Sequence, residues 1–226
     1  MIRKTHEHMG IKIPIDKAIF SDTIIGTIKK GNYERREATE VQRIVEPGER
    51  VLEIGGGIGF VSAVAALDPR VEKIVVFEAN PLLMPIIAEL HEMNGVANVD
   101  VVNGVLMNST HAEAAKFYVR KNFWSSSLAE KPWGYEKAID VPTYSFSEQV
   151  ERIRPTLIVC DIEGGELNLF ENANLSGVKK VLMEVHQKVI GRDGMKKLFD
   201  SMSSRGFHYD QWHSNGSVVL FSHINR

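Results

Sequence analysis

The sequence contains a single cysteine, Cys160, among its 226 residues. One thiol forms no intrachain disulfide and supplies no cysteine-based zinc cluster, so a disulfide-rich secreted domain and a zinc finger are both excluded. No apolar run approaches the roughly 18 residues that a membrane span needs, so we expect no contact with a membrane. The charged N-terminus lacks the apolar segment of a signal peptide, and we therefore expect a cytoplasmic protein.

An excess of charge of either sign is also missing. The chain has 27 Lys and Arg residues against 29 Asp and Glu residues, a formal net charge of −2. General nucleic-acid binders usually carry a basic surface, so nucleic acid is not an expected partner. Hydrophobic residues make up 43% of the chain, close to the average soluble domain. The length suits one α/β domain with decorations better than two independent domains.

Short β-rich apolar runs alternate with helical patterns along most of the chain. The runs that predict strands are residues 50–54, 73–77, 98–102, 157–160, 180–185, 207–209 and 218–221. This alternation predicts a parallel sheet with helices on both faces, and the closing hairpin adds an antiparallel strand at or near one edge. We expect an N-terminal arm and helix over residues 1–46 and the main domain over 47–226, with an aromatic, Ser-rich insertion at about 107–140.

A glycine-rich loop joins the first main-domain strand to the helix that follows it. Gly55, Gly57 and Gly59 allow a sharp turn and bring backbone N–H groups against a ligand at a helix N-terminus. A dinucleotide fingerprint would need a glycine at position 60, where the chain has Phe60. A P-loop would need Gly-Lys-Ser/Thr, which is absent. The loop therefore indicates a ligand other than one held by its pyrophosphate.

Acidic and amide side chains follow the neighbouring strands. Glu78 ends the second strand and can accept hydrogen bonds from both hydroxyls of a ribose. Asn103 and Gly104 follow the third strand, where an adenine would lie, and the Asn103 amide can pair with the purine edge. Each acid and the amide has a structural alternative: Glu78 as a solvated strand-end acid, Glu53 of the first strand as a buried acid that caps local N–H groups, and Asn103 as an ordinary turn residue. Together they favour an adenosine ligand such as S-adenosylmethionine over NAD.

At this point the sequence resembles the FkbM-type S-adenosylmethionine-dependent methyltransferases, from about residue 31 to the C-terminus. The matching strings are Val51–Gly59, Val76–Pro81, Cys160–Glu166 and Met183–His186, with Tyr33-Glu34, Glu37 and Ser125–Leu128. The resemblance implies a Rossmann-like class I fold with a seven-stranded, mostly parallel sheet. It also implies S-adenosylmethionine as methyl donor, S-adenosylhomocysteine as product, and O-methylation of a hydroxyl on a sugar, glycan or other small metabolite.

The resemblance also assigns residues to the donor site. Glu53, Gly55 and Gly57 would hold the methionine end of the donor, and Glu78 would hold its ribose. Tyr33 and Glu37 belong to the matching upstream motif and are expected to contribute to the same site. The string from Asp161 to Glu166 would form the floor of the acceptor site.

Three side chains after the fourth and fifth strands are candidates for the group that accepts the hydroxyl proton. These are Asp161, Glu163 and His186, of which His186 is preferred because an imidazole with a pKa near 6.5 suits proton acceptance at neutral pH. A structural role for His186 is the alternative. Asp161 and Glu163 could instead share Mg²⁺, but helix capping explains Glu163 more simply, so no metal is expected.

Aromatic side chains in the insertion form a second candidate group, namely Phe123, Trp124, Trp133 and Tyr135. They are either a platform for the acceptor or the cover of a sheet edge or an oligomer interface. The sequence leaves open whether the protein forms a homo-oligomer through the N-terminal arm or the insertion. Two other functions are also open: a non-catalytic protein that binds S-adenosylmethionine, and an NAD-dependent oxidoreductase, which the glycine spacing disfavours.

Overall fold

The structure is a computed structural model that describes residues 4–108, 113–131 and 134–225. Its strands are β1 (Lys4–His8), β2 (Ile11–Ile15), β3 (Glu49–Ile54), β4 (Val71–Glu78), β5 (Val99–Asn103), β6 (Val105–Met107), β7 (Ala114–Val119), β8 (Lys137–Ser145), β9 (Leu157–Cys160), β10 (Lys180–Glu184), β11 (Phe207–Asn215) and β12 (Val218–His223). Its α-helices are α1 (Asp22–Lys29), α2 (Arg35–Ile44), α3 (Phe60–Ala66), α4 (Met84–Met93), α5 (Phe146–Ile153), α6 (Glu166–Phe170) and α7 (Gln187–Ser204).

Seven strands form the central sheet in the order β11-β12-β10-β9-β3-β4-β5. Strand β12 pairs antiparallel with both β10 and β11, while β10, β9, β3, β4 and β5 pair in parallel. The order reverses at β3 and β9, whose carboxyl ends therefore open a crevice where α/β proteins bind ligands. The predicted fold class, a seven-stranded and mostly parallel sheet with helices on both faces, is confirmed.

Alternate residues of each central strand are buried on opposite faces of the sheet. Val51 and Leu157 pack into one hydrophobic core with α1 to α4, whereas their neighbours Leu52 and Ile158 pack into a second core with α5 to α7. Burial on both faces explains why these strands are continuous apolar runs rather than alternating ones. The two cores fix the loops at the carboxyl ends of β3, β4 and β9, which form the site described below.

Residues 4–30 pack against the main domain. Strands β1 and β2 form an antiparallel hairpin, and Ile11 and Ile13 of β2 are buried in the same core as Ile24 and Ile28 of α1. Ser21 caps α1 by accepting a hydrogen bond from the Ile24 N–H at 3.2 Å. Tyr33 and Glu34, just before the first residue of α2, lie against the loop after β3, where a Cβ on Gly57 would meet the side-chain oxygens of both.

The insertion is built on a small sheet of its own, which the sequence analysis did not predict. Strand β8 pairs with β6 in parallel and with β7 antiparallel, giving the order β6-β8-β7. A 3₁₀ turn at Phe123–Ser125 follows β7. Buried Arg120 holds the next loop, donating to the backbone carbonyl oxygens of Ser125 at 2.8 Å and Ala129 at 2.7 Å. The insertion therefore has a fixed shape at the edge of the crevice.

None of the helices in the described part of the chain has both the length and the apolar character needed to cross a bilayer.

Candidate active site

A cavity of about 490 Å³ lies at the carboxyl ends of the central strands. This volume falls within the range of small-molecule binding sites. Its floor is formed by the loops after β3, β4 and β9, and its walls by the insertion and the start of α2. The lining residues include Tyr33, Glu34, Gly55, Gly57, Glu78, Gly104, Val105, Phe117, Phe123, Trp124, Ser126, Ser127, Leu128, Asp161, Ile162, Glu163 and Glu171.

The glycines of the predicted loop have two different roles. Gly55 and Gly57 line the cavity and have positive φ angles of 87° and 52°. A Cβ on Gly57 would lie 2.8 Å from the Tyr33 hydroxyl, so the loop passes close beneath that ring. Gly59 does not line the cavity, because its free side faces Ile87 and His91 of α4. Gly59 is therefore a packing residue at the start of α3 in this structure, and its predicted contact with the ligand has no support.

Glu78 sits under the glycine loop with both carboxylate oxygens in use. Its Oε2 accepts a hydrogen bond from the Gly57 N–H at 2.8 Å, and its Oε1 accepts one from the Asn80 N–H at 2.6 Å. Burial raises the pKa of Glu78 to about 7, although these backbone donors act in the opposite direction. The carboxyl group thus lines the cavity at a fixed position, where each oxygen retains a lone pair for a ligand hydroxyl.

Of the two residues predicted after β5, Gly104 lines the cavity and Asn103 does not. Gly104 lines the cavity with a φ of 156°, and a Cβ there would lie 2.5 Å from Tyr144 Cε2. Asn103 instead uses its side-chain amide to donate to the backbone oxygens of Glu78 at 2.9 Å and Ala79 at 3.1 Å. These bonds hold the turn that carries Glu78. Asn103 therefore shapes the pocket, and its predicted contact with the adenine edge is not supported.

The acids on the α2 side of the loop are divided between two cavities. Glu34 lines the large cavity from a left-handed backbone position with a φ of 45°. Glu53 and Glu37, both predicted to contact the donor, instead border a smaller neighbouring cavity that also touches Glu34, Gly55 and Asp161. Burial raises the pKa of Glu53 to about 8 and that of Glu34 well above its usual range. Tyr33 lies in the large cavity as predicted, with its ring buried.

The three catalytic candidates form one cluster, with His186 behind the two acids. Asp161 and Glu163 line the cavity, whereas His186 does not. The His186 Nδ1 is 2.8 Å from the Glu166 Oε1. Burial lowers the pKa of His186, but this hydrogen bond and the charges of Asp161, Glu166 and Glu163 outweigh it and raise the pKa to about 9. An imidazole that is protonated at neutral pH is a poor proton acceptor, so these surroundings argue against the base role preferred for His186.

The insertion contributes two of its four predicted aromatic side chains to the cavity. Phe123 and Trp124 line the wall above the glycine loop, and the Trp124 ring stacks against Tyr33 with centroids 6.3 Å apart. Tyr135 is 43% exposed and packs against Tyr118 instead. Trp133 lies outside the described residues. Ser126, Ser127 and Leu128 complete this wall.

The sequence of this site matches a known protein family. The profile of the Methyltransferase FkbM domain matches residues 53–209, more than half of the chain. This match includes the glycine loop, Glu78, the insertion and the cluster around Asp161. The chain belongs to the FkbM methyltransferase family. A search of curated protein sequences found no match.

Solved structures with the same fold are distant in sequence from this FkbM methyltransferase. A crystal structure from Pyrococcus horikoshii, provisionally described as a transferase, has 14% identity and a TM-score of 0.55, covering 98% of this chain and 72% of its own. Trm5b from Pyrococcus abyssi has 15% identity and a TM-score of 0.54, with coverage of 98% and 56%. TYW2 from P. horikoshii, solved in complex with MeSAdo, has 14% identity and a TM-score of 0.51, with coverage of 97% and 69%. At these identities the likeness shows the fold, that of the class I S-adenosylmethionine-dependent methyltransferases.

The charged side chains in the described lining of the FkbM methyltransferase cavity are all acidic. Five acidic residues line it, namely Glu34, Glu78, Asp161, Glu163 and Glu171, and the described lining residues include no Lys or Arg. Burial raises the pKa of Glu34, Glu78, Asp161 and Glu163, and a bound cation favours the ionised form of these carboxyl groups. The lining therefore suits a cationic ligand, and its described residues offer a phosphate group no basic partner.

Proposed function

We propose that this FkbM methyltransferase transfers a methyl group from S-adenosylmethionine to a hydroxyl of a small molecule, a sugar or glycan being the class we favour. The observation that carries the proposal is the acid-lined cavity at the carboxyl ends of β3 and β4, next to the glycine loop. The donor carries a sulfonium and an ammonium against a single carboxylate. Its net positive charge suits this lining.

The same charges argue against the other ligands. NAD carries two negative charges on its pyrophosphate, which would need basic groups or a run of backbone N–H donors. The described lining residues offer Glu78 and Glu34 near the loop and no Lys or Arg. A nucleic-acid acceptor would bring phosphates to the same wall. An uncharged hydroxyl compound avoids both penalties.

The transfer is an in-line displacement that needs donor and acceptor in contact. The acceptor oxygen forms a bond to the methyl carbon, and the carbon–sulfur bond breaks with its electron pair remaining on sulfur. The hydroxyl proton passes to the carboxylate of Asp161 or Glu163, the acids of the cluster that face the cavity. Alignment of the two reactants can account for about 7–11 kcal/mol of barrier lowering. The aromatic wall of Phe123 and Trp124 offers a flat surface on which a sugar ring can stack.

Thermal unfolding with and without ligand tests the donor first. A ligand at about 100 times its dissociation constant adds roughly 2.7 kcal/mol to native stability, which raises the midpoint of a chain this size by about 5–10 °C. We expect this shift with S-adenosylmethionine and with S-adenosylhomocysteine, and none with NAD. A shift with NAD alone would contradict the proposal.

Formation of S-adenosylhomocysteine on adding acceptors then tests the reaction. We expect turnover with neutral hydroxylated sugars and much slower turnover with the matching sugar phosphates, because the described lining offers a phosphate group no basic partner. Donor binding without turnover on any hydroxyl compound would favour the non-catalytic alternative. Faster turnover with phosphorylated acceptors or RNA would contradict the acceptor class.

Glu78→Gln is expected to weaken donor binding by roughly 10- to 100-fold. The substitution replaces a charged acceptor by a neutral amide, and a hydrogen bond to a charged group contributes about 1.5–3 kcal/mol. Isothermal titration with S-adenosylhomocysteine measures the change. Glu72→Gln on the same strand is the matched control, since the Glu72 side chain is 60% exposed and lies far from the carboxyl end. Unchanged affinity in Glu78→Gln would show that the ribose binds elsewhere.

A further inference from the structure

A second feature of the site is the geometry of the Asp161, Glu163 and His186 cluster. Strands β9 and β10 are adjacent and parallel, so the loops that follow them meet at one edge of the sheet. The His186 Nε2 lies 3.7 Å from Asp161 Oδ1 and 3.6 Å from Glu163 Oε2. Glu184 Oε2 lies slightly further away, at 3.9 Å. One nitrogen and several carboxylate oxygens thus converge on a common point.

These separations are too long for hydrogen bonds but suit ligands of one ion. An N–H···O hydrogen bond spans about 2.7–3.2 Å. Nitrogen and oxygen ligands that each lie about 2.0–2.2 Å from a metal at near-tetrahedral angles are roughly 3.3–3.6 Å apart. One ligand atom from each of Asp161, Glu163 and His186 lies within 4.8 Å of the others. Small side-chain adjustments would bring all three into contact with one ion.

Two further observations fit a cation bound at this point. Asp161 Oδ1 is inaccessible to solvent and has no hydrogen-bond partner among the described residues, although it points at the His186 ring. A buried carboxylate oxygen without a partner is costly. In addition, Glu166 is fully buried and its Oε1 contacts His186 Nδ1 at 2.8 Å, which directs Nε2 toward Asp161 and Glu163. A carboxylate behind the imidazole is the usual support of a metal-binding histidine.

We propose that Asp161, Glu163 and His186 bind a divalent transition-metal ion of the Mn²⁺ or Zn²⁺ class. A site with one imidazole and two carboxylates suits these ions better than Mg²⁺ or Ca²⁺, which prefer oxygen ligands alone. Asp161 and Glu163 line the cavity, so a remaining coordination position faces the acceptor.

The role of the ion rests on the proposed function. A divalent ion held by these residues would lower the pKa of a bound acceptor hydroxyl. The proton would then pass to solvent rather than to a carboxylate of the cluster, and the electron pair would stay on the oxygen that attacks the methyl carbon. The ion would then replace the side-chain base that the sequence analysis expected at His186.

Metal titration of the chelator-stripped protein tests the proposal. The protein should carry no polyhistidine tag, and Mn²⁺, Zn²⁺, Mg²⁺ and Ca²⁺ are titrated separately by calorimetry. We expect one Mn²⁺ or Zn²⁺ per chain, with at least tenfold weaker binding of Mg²⁺ and Ca²⁺. Failure to bind Mn²⁺ and Zn²⁺, or tighter binding of Mg²⁺, would overturn the assignment and leave His186 itself as the cation of the cluster.

The metal affinity of single substitutions tests whether the ion binds at the Asp161, Glu163 and His186 cluster. Asp161→Asn and Glu163→Gln, which keep side-chain shape, should each weaken Mn²⁺ or Zn²⁺ binding at least tenfold. Glu166→Gln should weaken it about 10- to 100-fold through His186. Asp140→Asn, an exposed carboxylate in a surface pair with Lys116, is the control for the loss of one charge. Wild-type metal affinity in the three cluster variants would overturn the proposal.

A measurement of donor binding distinguishes failure of the metal site from failure of the proposed methyltransferase function. Each variant is checked for its thermal shift with S-adenosylhomocysteine, which also shows that it is folded. A protein that binds the donor but no ion would refute the metal site alone. A protein that binds the ion but no donor would refute the methyltransferase proposal and leave the metal site standing.

Discussion

Gly55→Ala is expected to cost the protein more than about 4 kcal/mol of stability, the range that marks an exceptional single substitution. A Cβ at this position would overlap the Asp161 carbonyl oxygen and lie 2.9 Å from the carbonyl carbon. Both partners are backbone, and the Asp161 N–H donates to the Ile54 oxygen at 2.9 Å, so the two loops cannot separate without breaking the sheet. Urea denaturation measures the loss, and titration with S-adenosylhomocysteine measures the accompanying loss of donor binding.

Gly48→Ala is the control that distinguishes the steric clash at Gly55 from the strain of a left-handed backbone. Gly48 has a φ of 79°, close to the 87° of Gly55, and nothing lies within 4 Å of the place that its Cβ would take. Only the left-handed strain of about 1–2 kcal/mol applies there. Similar losses in the two variants would contradict the close approach of the loops after β3 and β9.

The central sheet could be predicted because its strands are buried on both faces. Strand β9 begins at Leu157 and ends at Cys160, the bounds that its apolar run predicts. Turn residues mark the ends of such strands. The apolar run and the turn residues can both be recognised from the sequence without knowledge of the fold. Helix α4 shows a limit of local signals: Asn80 and Pro81 are typical of a helix start, but they form a turn, and the helix begins at Met84.

The N-terminal hairpin and the insertion sheet could not be predicted in the same way. In β2, Ile11, Ile13 and Ile15 alternate as in a strand, but Pro14 weakens the signal because proline is rare within strands. Strand β8 carries Pro142, and all but one of its residues are exposed or half-buried, so it lacks a strong apolar pattern. Their pairing depends on partners far away in the chain, which local patterns do not reveal.

Within the site, the sequence identifies the residues on the main loops better than their orientation. Gly55, Gly57, Glu78, Asp161 and Glu163 line the cavity as expected. Glu34 was visible only as part of the matching Tyr33-Glu34 motif, and its left-handed backbone, which turns it into the cavity, has no sequence signal. The contact between His186 and Glu166 joins residues of different loops, so only the folded sheet reveals it.

Glu53→Gln is expected to remove a large pH dependence of stability. Burial raises the pKa of Glu53 from 4.5 to about 8, although a hydrogen bond from Ser62 acts in the opposite direction. Below pH 4.5 the carboxyl is protonated in both folded and unfolded chains. Between pH 4.5 and 8 the folded chain keeps this proton and the unfolded chain loses it, so stability falls as the pH rises. The full shift corresponds to about 5 kcal/mol, and glutamine, which does not titrate, avoids that loss.

Urea denaturation of the ligand-free protein at pH 5 and pH 9 measures this effect. The decrease in stability between the two pH values should be several kcal/mol smaller in Glu53→Gln than in the wild type, and at pH 9 the variant should be the more stable protein. Glu136→Gln controls for the removal of one negative charge, since Glu136 is exposed. Equal pH dependence in Glu53→Gln and the wild type would mean that Glu53 ionises in the fold as easily as in the unfolded chain. At neutral pH, protonated Glu53 adds no full negative charge beside the donor site.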